Sequence, residues 1–257
     1  MTNNAVQTSL VLSPPPCRFM SEFEFLSSMH GAVFKGVNIV SGGIISSEIL
    51  TEPNIVISSV PQGMTIRINE KLYEHKEVII EGIKQILSFG IGTRRRFTFR
   101  VVEDNETNIN AIKLAPNKKE LLSFKLHLHL TTPTVIIHRN EIQKHPSWYA
   151  ITARAIDRLI KLGYEIDKKA VLEFAKTDNG DDIYPIVNTA FFKKKRKSGR
   201  GGYKHNIMGM VGELIYPSYA WKTAQVVKEA LRWGIGKNPA LGMGRGYITI
   251  GNGNENE

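Results

Sequence analysis

One cysteine in 257 residues, Cys17, removes two classes of protein at once. It permits no disulfide within the chain and no thiolate zinc cluster, and behind Pro14-Pro15-Pro16 it reads as an ordinary residue. Acidic residues are also scarce: 24 Asp and Glu stand against 34 Lys and Arg, a formal charge of +10 at neutral pH. That imbalance disfavours a cationic partner and points to a polyanion, most often nucleic acid. No stretch approaches the roughly 20 apolar residues that span a bilayer. The N-terminus lacks the basic-then-apolar layout of a secretory signal, which predicts a cytoplasmic protein with no membrane partner.

What the sequence does contain is the same unit twice. Residues Ile83 to Gly92 and Val227 to Gly236 each read as the end of an amphipathic helix followed by Gly-Ile-Gly, a basic loop and a strand. A shift of 144 residues lays Lys84 on Lys228, Phe89 on Trp233 and Gly90 on Gly234. A period that long marks a duplicated domain, because solenoid repeats run from about 20 to 50 residues.

Period-two and period-3.6 apolar patterns fill in each copy. In the first, strands are expected at 6–12, 54–60, 64–70 and 96–102, with helices at 22–36 and 75–89. Gly31 and Gly36 weaken the first helix, and Gly90 is placed to end the second in a left-handed cap. The order β-α-β-β-α-β is the ferredoxin-like arrangement. The second copy repeats it with strands at 121–130, 185–192, 207–216 and 246–250 and helices at 147–162 and 220–233. A further helical turn or insertion falls at 168–176. The fold class is therefore α+β, two tandem ferredoxin-like (RRM-like) domains with a C-terminal glycine-rich loop. The expected boundaries are 1–105 for the first domain, 106–120 for a polar linker, 121–250 for the second domain and 251–257 for a disordered tail.

Positive charge concentrates where it can meet phosphate. Lys193, Lys194, Lys195, Arg196, Lys197, Arg200 and Lys204 are seven cations in twelve residues without an acid. Flanking glycine and serine predict a mobile loop between two strands, suited to salt-sensitive, sequence-independent binding of a nucleic-acid backbone. Arg94, Arg95 and Arg96 follow the first Gly-Ile-Gly. Lys237 and Arg245 flank the second, within Gly234-x-Gly236-x5-Gly242-x-Gly244. Glycines there let backbone N–H groups come within contact distance of a phosphate. The order helix, loop, strand excludes a Rossmann fingerprint, and no Gly-Lys-Ser/Thr opens a helix as a P-loop requires. His127 and His129 share one strand face with Lys125. That spacing suits a metal, yet the local sequence offers no third ligand, so no metal site is expected and an RNA-facing or solvated face is the alternative.

The glycine loop between the last helix and last strand, the segment Ser198-Gly199-Arg200…Met208-Gly209-Met210-Val211-Gly212-Glu213 and the pair Thr132-Pro133 together resemble the CRISPR-associated repeat-RNA endoribonucleases of the RAMP superfamily. Matching pieces span about residues 25–250. The resemblance implies a protein that binds the repeat of a precursor CRISPR RNA and cuts it without metal or other cofactor. In that chemistry a ribose 2′-hydroxyl attacks the adjacent phosphate, leaving 2′,3′-cyclic phosphate and 5′-hydroxyl ends. Relatives that use a histidine carry it on or just before the first helix, which here matches His30, with Lys35 five residues on as a candidate to stabilise charge. No tyrosine precedes Tyr73, so the tyrosine that some relatives place near the histidine is missing. Arg18, beside the first helix, is the substitute for that charge-stabilising role. The alternative implied by the same resemblance is a non-catalytic RAMP subunit that holds guide RNA among other effector subunits.

Overall fold

The computed structural model describes the chain except residues 1–4, 47, 93–94, 110–112, 118–123, 198–203 and 253–257, and the side chains of 17, 108–109, 192–197, 204–207 and 252. It divides into two compact units, one of Met1–Ile112 with Ala240–Gly242, the other of Lys113–Pro239 with Met243–Glu257.

The first unit runs β1 (Ala5–Ser13), α1 (Glu22–Ser41), β2 (Ile55–Val60), β3 (Gly63–Ile68), α2 (Lys76–Phe89) and β4 (Arg100–Ile109). Its sheet has the order β2-β3-β1-β4, antiparallel throughout, so the first and third strands are central. This is the ferredoxin-like order. Ser21 and Glu24 form a reciprocal capping box at the start of α1, and Gly42, at φ 60°, ends it five residues beyond the expected stop at 36. Phe25, Met29, Val33 and Val37, spaced by four, line the helix face that packs with Leu10, Met64 and Ile66 of the sheet.

Gly36, which weakens a helix in isolation, is what lets α1 cross α2. A Cβ on Gly82 would sit 2.7 Å from the Gly36 carbonyl carbon and the Val37 nitrogen, and one on Gly36 would run into the Gly82 carbonyl. Gly82→Ala should therefore force the helices apart, at about 1–3 kcal/mol for overpacking. Urea unfolding tests this, and an unshifted midpoint would mean that the crossing has slack.

β4 departs from expectation. It begins at Arg100 rather than 96 and runs to Ile109, past the expected stop at 102 and into the expected linker, pairing with β1 from Ser13↔Arg100 to Ala5↔Ile109. As an edge strand it tolerates polar residues, and two of the acids bind α2: Glu106 meets Lys76 at 2.7 Å and Asp104 meets Lys84 at 2.5 Å. The hydrogen bond it donates to Glu106 holds the Lys76 ammonium above its ordinary range.

The second unit runs β5 (Phe124–Thr134), a small hairpin of β6 (Ile136–His138) and β7 (Glu141–Gln143), α3 (Trp148–Lys161), α4 (Lys168–Glu173), β8 (Ile186–Lys197), β9 (Lys204–Pro217), α5 (Ala224–Trp233) and β10 (Gly246–Asn252). Sheet order β10-β5-β9-β8 repeats the first unit, with the β6–β7 hairpin and α4 as additions between the first strand and the second. Leu126, Leu128 and Leu130 are buried in the core and alternate with Lys125, His127 and His129 on the opposite face. Inside, Trp148 Nε1 donates to Thr223 Oγ1 at 2.7 Å and Tyr216 OH donates to the Pro146 carbonyl at 2.8 Å. Burial pushes the Tyr216 hydroxyl well above the usual tyrosine range, so it stays a neutral donor.

The basic run is the larger correction. Lys193 to Lys197 are not a loop: their backbone is the end of β8, paired with β9 from Lys193↔Met208 to Lys197↔Lys204. Flanking glycines disguised a long hairpin arm as a flexible connection. Arg200 and the side chains of the run and of Lys204 lie outside the described residues.

Candidate nucleic-acid interface

The helix exits of the two units share one backbone solution. Gly90 leaves α2 at φ 95°, ψ 139° and Gly234 leaves α5 at φ 80°, ψ 129°. Both have positive φ, but their ψ is extended rather than left-handed helical, so the expected left-handed cap at Gly90 gives way to a conformation open essentially to glycine alone. After each, the isoleucine amide pairs across the loop, Ile91 with the Phe97 carbonyl and Ile235 with the Gly244 carbonyl, both at 2.9 Å. At α5 the exit is braced further: the Arg158 guanidinium, buried, donates twice to the terminal Trp233 carbonyl at 2.8 and 3.2 Å.

The C-terminal glycines serve the chain's own packing. A Cβ at Gly236 would collide with the Val135 carbonyl, at Gly234 with the Met243 carbonyl, at Gly244 with the Ile235 carbonyl and at Gly242 with the Leu26 side chain. Loop amides are likewise engaged within the protein: Lys237 N donates to Val135 O (3.2 Å), Gly244 N to Pro133 O (3.1 Å) and Arg245 N to Thr132 Oγ1 (2.8 Å). The loop glycines thus make a set of backbone crossings, and these three amides already have acceptors. Residues 131–135 are the dock, where β5 loses its regular register with β9. Gly209 of β9 reaches the same place, since a Cβ there would lie 2.5 Å from Thr134 N. Three sequence motifs far apart in the chain therefore meet as one structural knot.

Arg245 is a second correction. Its side chain is 2% exposed, with Nε 3.4 Å from where a Gly234 Cβ would stand, so it fills the interior beneath the loop instead of presenting charge to phosphate. Lys237 is exposed, as are Arg95 and Arg96 beyond the first Gly-Ile-Gly, while Arg94 lies outside the described residues.

His30 stands exposed in the middle of α1, its ring edge-on to Phe34 one turn along, with centroids 5.7 Å apart. It borders a recess of about 40 Å³ with Leu26, Val33, Thr51, Glu52 and Ala240. That volume holds a water or two and is too small to enclose a phosphate group. Lys35 is exposed on the same helix, yet five residues of α-helix turn through about 140°, so it faces away from His30. Arg18 is exposed in a single 3₁₀ turn before α1, its guanidinium 5.6 Å from the Phe19 ring. Glu52, a carboxylate beside His30, was missed by sequence reading because nothing in its surroundings marks it.

No family model matches the sequence, and no curated protein does. Solved structures do match. A Cas6 solved as its product complex superposes with a TM-score of 0.51 at 15% identity, covering 96% of this chain and 99% of that one. Cas6 of Thermus thermophilus gives 0.51 at 15% identity, covering 97% and 99%. The chain has the Cas6 fold. Coverage of nearly the full length on both sides means that the duplicated ferredoxin-like plan, and not one half of it, is what the Cas6 structures share with this chain. On the Cas6 fold the two glycine exits, the dock at 131–135 and the exposed cations Arg95, Arg96 and Lys237 are the features that this chain's own residues place around its helix ends. No helix among the described residues is long and apolar enough to cross a membrane.

Proposed function

We propose that the chain is a metal-independent endoribonuclease that binds CRISPR repeat RNA in a precursor transcript and cuts it into guide RNAs. One observation carries the reading: an exposed histidine on the first helix of a fold shared, over nearly the whole chain, with a Cas6 captured with its product. In the proposed reaction the ribose O2′ forms a bond to the adjacent phosphorus and the P–O5′ bond breaks. The 2′-hydroxyl proton leaves, and a proton reaches the departing 5′-oxygen. His30 moves one of these protons, a role suited to a side chain whose ordinary pKa is about 6.5. The products carry 2′,3′-cyclic phosphate and 5′-hydroxyl ends. Arg95, Arg96 and Lys237, all exposed, are proposed to hold the RNA backbone together with the Lys193–Lys197 arm.

Incubating repeat RNA with the protein in EDTA tests the reading. A single cut with a cyclic-phosphate end supports it, and cleavage that disappears with EDTA overturns the metal-independent step. The second reading is a guide-RNA-binding RAMP subunit without catalysis. The turn of Lys35 away from His30 favours it, since no second cation of α1 then backs the histidine. Tight binding with no product in any buffer would select it.

Charge on the hairpin arm has its own expected outcome. Replacing Lys193, Lys195 and Lys197 together with alanine should flatten the dependence of log affinity on log salt by up to about two, at roughly 0.7 per phosphate contact on single strands. Filter binding across a salt series measures it, and an unaltered slope would place the arm away from the RNA.

A further inference from the structure

The open face of the second sheet gathers three side chains that neither the fold nor the proposed reaction uses. His127 and His129 lie two apart on β5, and Glu213 stands opposite His129 on β9, 86 residues from His127 in sequence. Sequence alone shows only the histidine pair; strand order β10-β5-β9-β8 supplies the carboxylate. Glu213 Oε1 lies 2.8 Å from His127 Nδ1 and 3.6 Å from His129 Nε2, and one donor atom from each of the three residues falls within 4.8 Å of the others. We propose that His127, His129 and Glu213 bind one divalent transition-metal ion of the zinc, cobalt or nickel type.

Geometry supports an ion at the centre of this triangle. A tetrahedral ion with bonds of about 2.0–2.1 Å holds its ligands about 3.3 Å apart. The two separations from Glu213 Oε1 bracket that value, so shifts of a few tenths of an ångström suffice for the carboxylate. The His129 ring is held in place. Tyr247 of β10 stacks on His129 with centroids 4.5 Å apart and planes 20° apart, and Thr249 Oγ1 lies 2.9 Å from His129 Nε2. A turn of the Thr249 side chain about χ1 moves its oxygen aside and leaves that lone pair to a metal. Gly251, in the same strand, is explained by His127, because a Cβ there would run into the imidazole. The three ligands are 23%, 27% and 24% exposed, low enough to be held in place and open enough to admit an ion with a water in its remaining position.

Donor type selects the metal class. Two imidazoles and one carboxylate match zinc and its neighbours in the Irving–Williams series, whereas magnesium wants an all-oxygen shell. The bound ion would tie β5 to β9 across the middle of the sheet, so it should stabilise the fold by mass action.

Titration of the tag-free full-length protein with Zn²⁺ by calorimetry, and with Co²⁺ by visible absorption, tests the site without RNA. Its failure therefore leaves the endoribonuclease reading untouched. One equivalent of Zn²⁺ is expected, with an accompanying rise in melting temperature, while Mg²⁺ has no such effect. His129→Gln and Glu213→Gln should each weaken binding by at least about 10-fold. Should either variant fold poorly, Gly251→Ala, which crowds His127 and removes no donor, should also weaken it. Absence of stoichiometric Zn²⁺ uptake overturns the proposal, as does uptake unchanged in the His127→Gln/His129→Gln double variant.

Discussion

His30→Ala is expected to slow single-turnover cleavage of repeat RNA by about 10²-fold or more, the usual scale for lost acid–base help, while RNA affinity stays near that of the unmodified protein. The argument rests on where the side chain is. His30 projects from the exposed side of α1, and its ring meets Phe34 edge-on at 5.7 Å. The buried face of the helix belongs to Phe25, Met29, Val33 and Val37. Removing an exposed ring and leaving alanine, the best helix former, should cost the fold little. A loss of rate is then a loss of chemistry. Rates that do not change would remove His30 from the mechanism, and loss of binding alone would make it a contact residue. Lys35→Ala is the informative companion: with about 140° of helix between the two residues, it should affect binding more than the cleavage step. An equal loss of rate in both variants would mean that the RNA wraps α1 far enough to meet both.

How much of this was legible in the sequence depends on the range over which each feature is fixed. Features set by neighbours read well. Alternating Leu126, Leu128 and Leu130 are fixed by strand periodicity, and the 144-residue repeat reappears as two glycine exits with nearly equal backbone angles. Features set by partners across the sheet did not. Asp104 and Glu106 lie beyond the expected end of the strand at 102 until α2 supplies Lys84 and Lys76. Lys193 to Lys197 look like a loop because nothing local announces the β9 backbone opposite them. Gly36 looks like a flaw in a helix until Gly82 is seen against it. Arg245 reads as a free cation in a basic loop, although the interior beneath Gly234 claims its side chain. Glu213, in register with His129 yet distant in sequence, is the clearest case, since only the strand order makes the third ligand visible.

Gly244→Ala should lower the melting temperature by roughly 5–15 °C, and this variant separates two accounts of the glycine loop that the sequence cannot tell apart. If the glycines exist so that a phosphate can approach, alanine should weaken RNA binding and leave the apo-protein as stable as before. If they exist so that the chain can cross itself, the apo-protein should suffer first. The structure favours the second account. Gly244 sits at φ +77°, a conformation in which an L side chain is strained, and its Cβ would lie 2.5 Å from the Ile235 nitrogen and closer still to the Ile235 carbonyl. Neither neighbour can yield, because Ile235 N is bonded to the Gly244 carbonyl and Gly244 N to the Pro133 carbonyl. Backbone strain together with overpacking comes to about 2–4 kcal/mol. At roughly 2–4 °C per kcal/mol for a chain of this size, that gives the shift stated. Lys237→Ala makes the opposite prediction: the side chain is exposed, so the melting point should hold while affinity for RNA falls. A Gly244→Ala protein that melts normally but binds RNA poorly would restore the phosphate cradle and show that the crossing at Ile235 can relax.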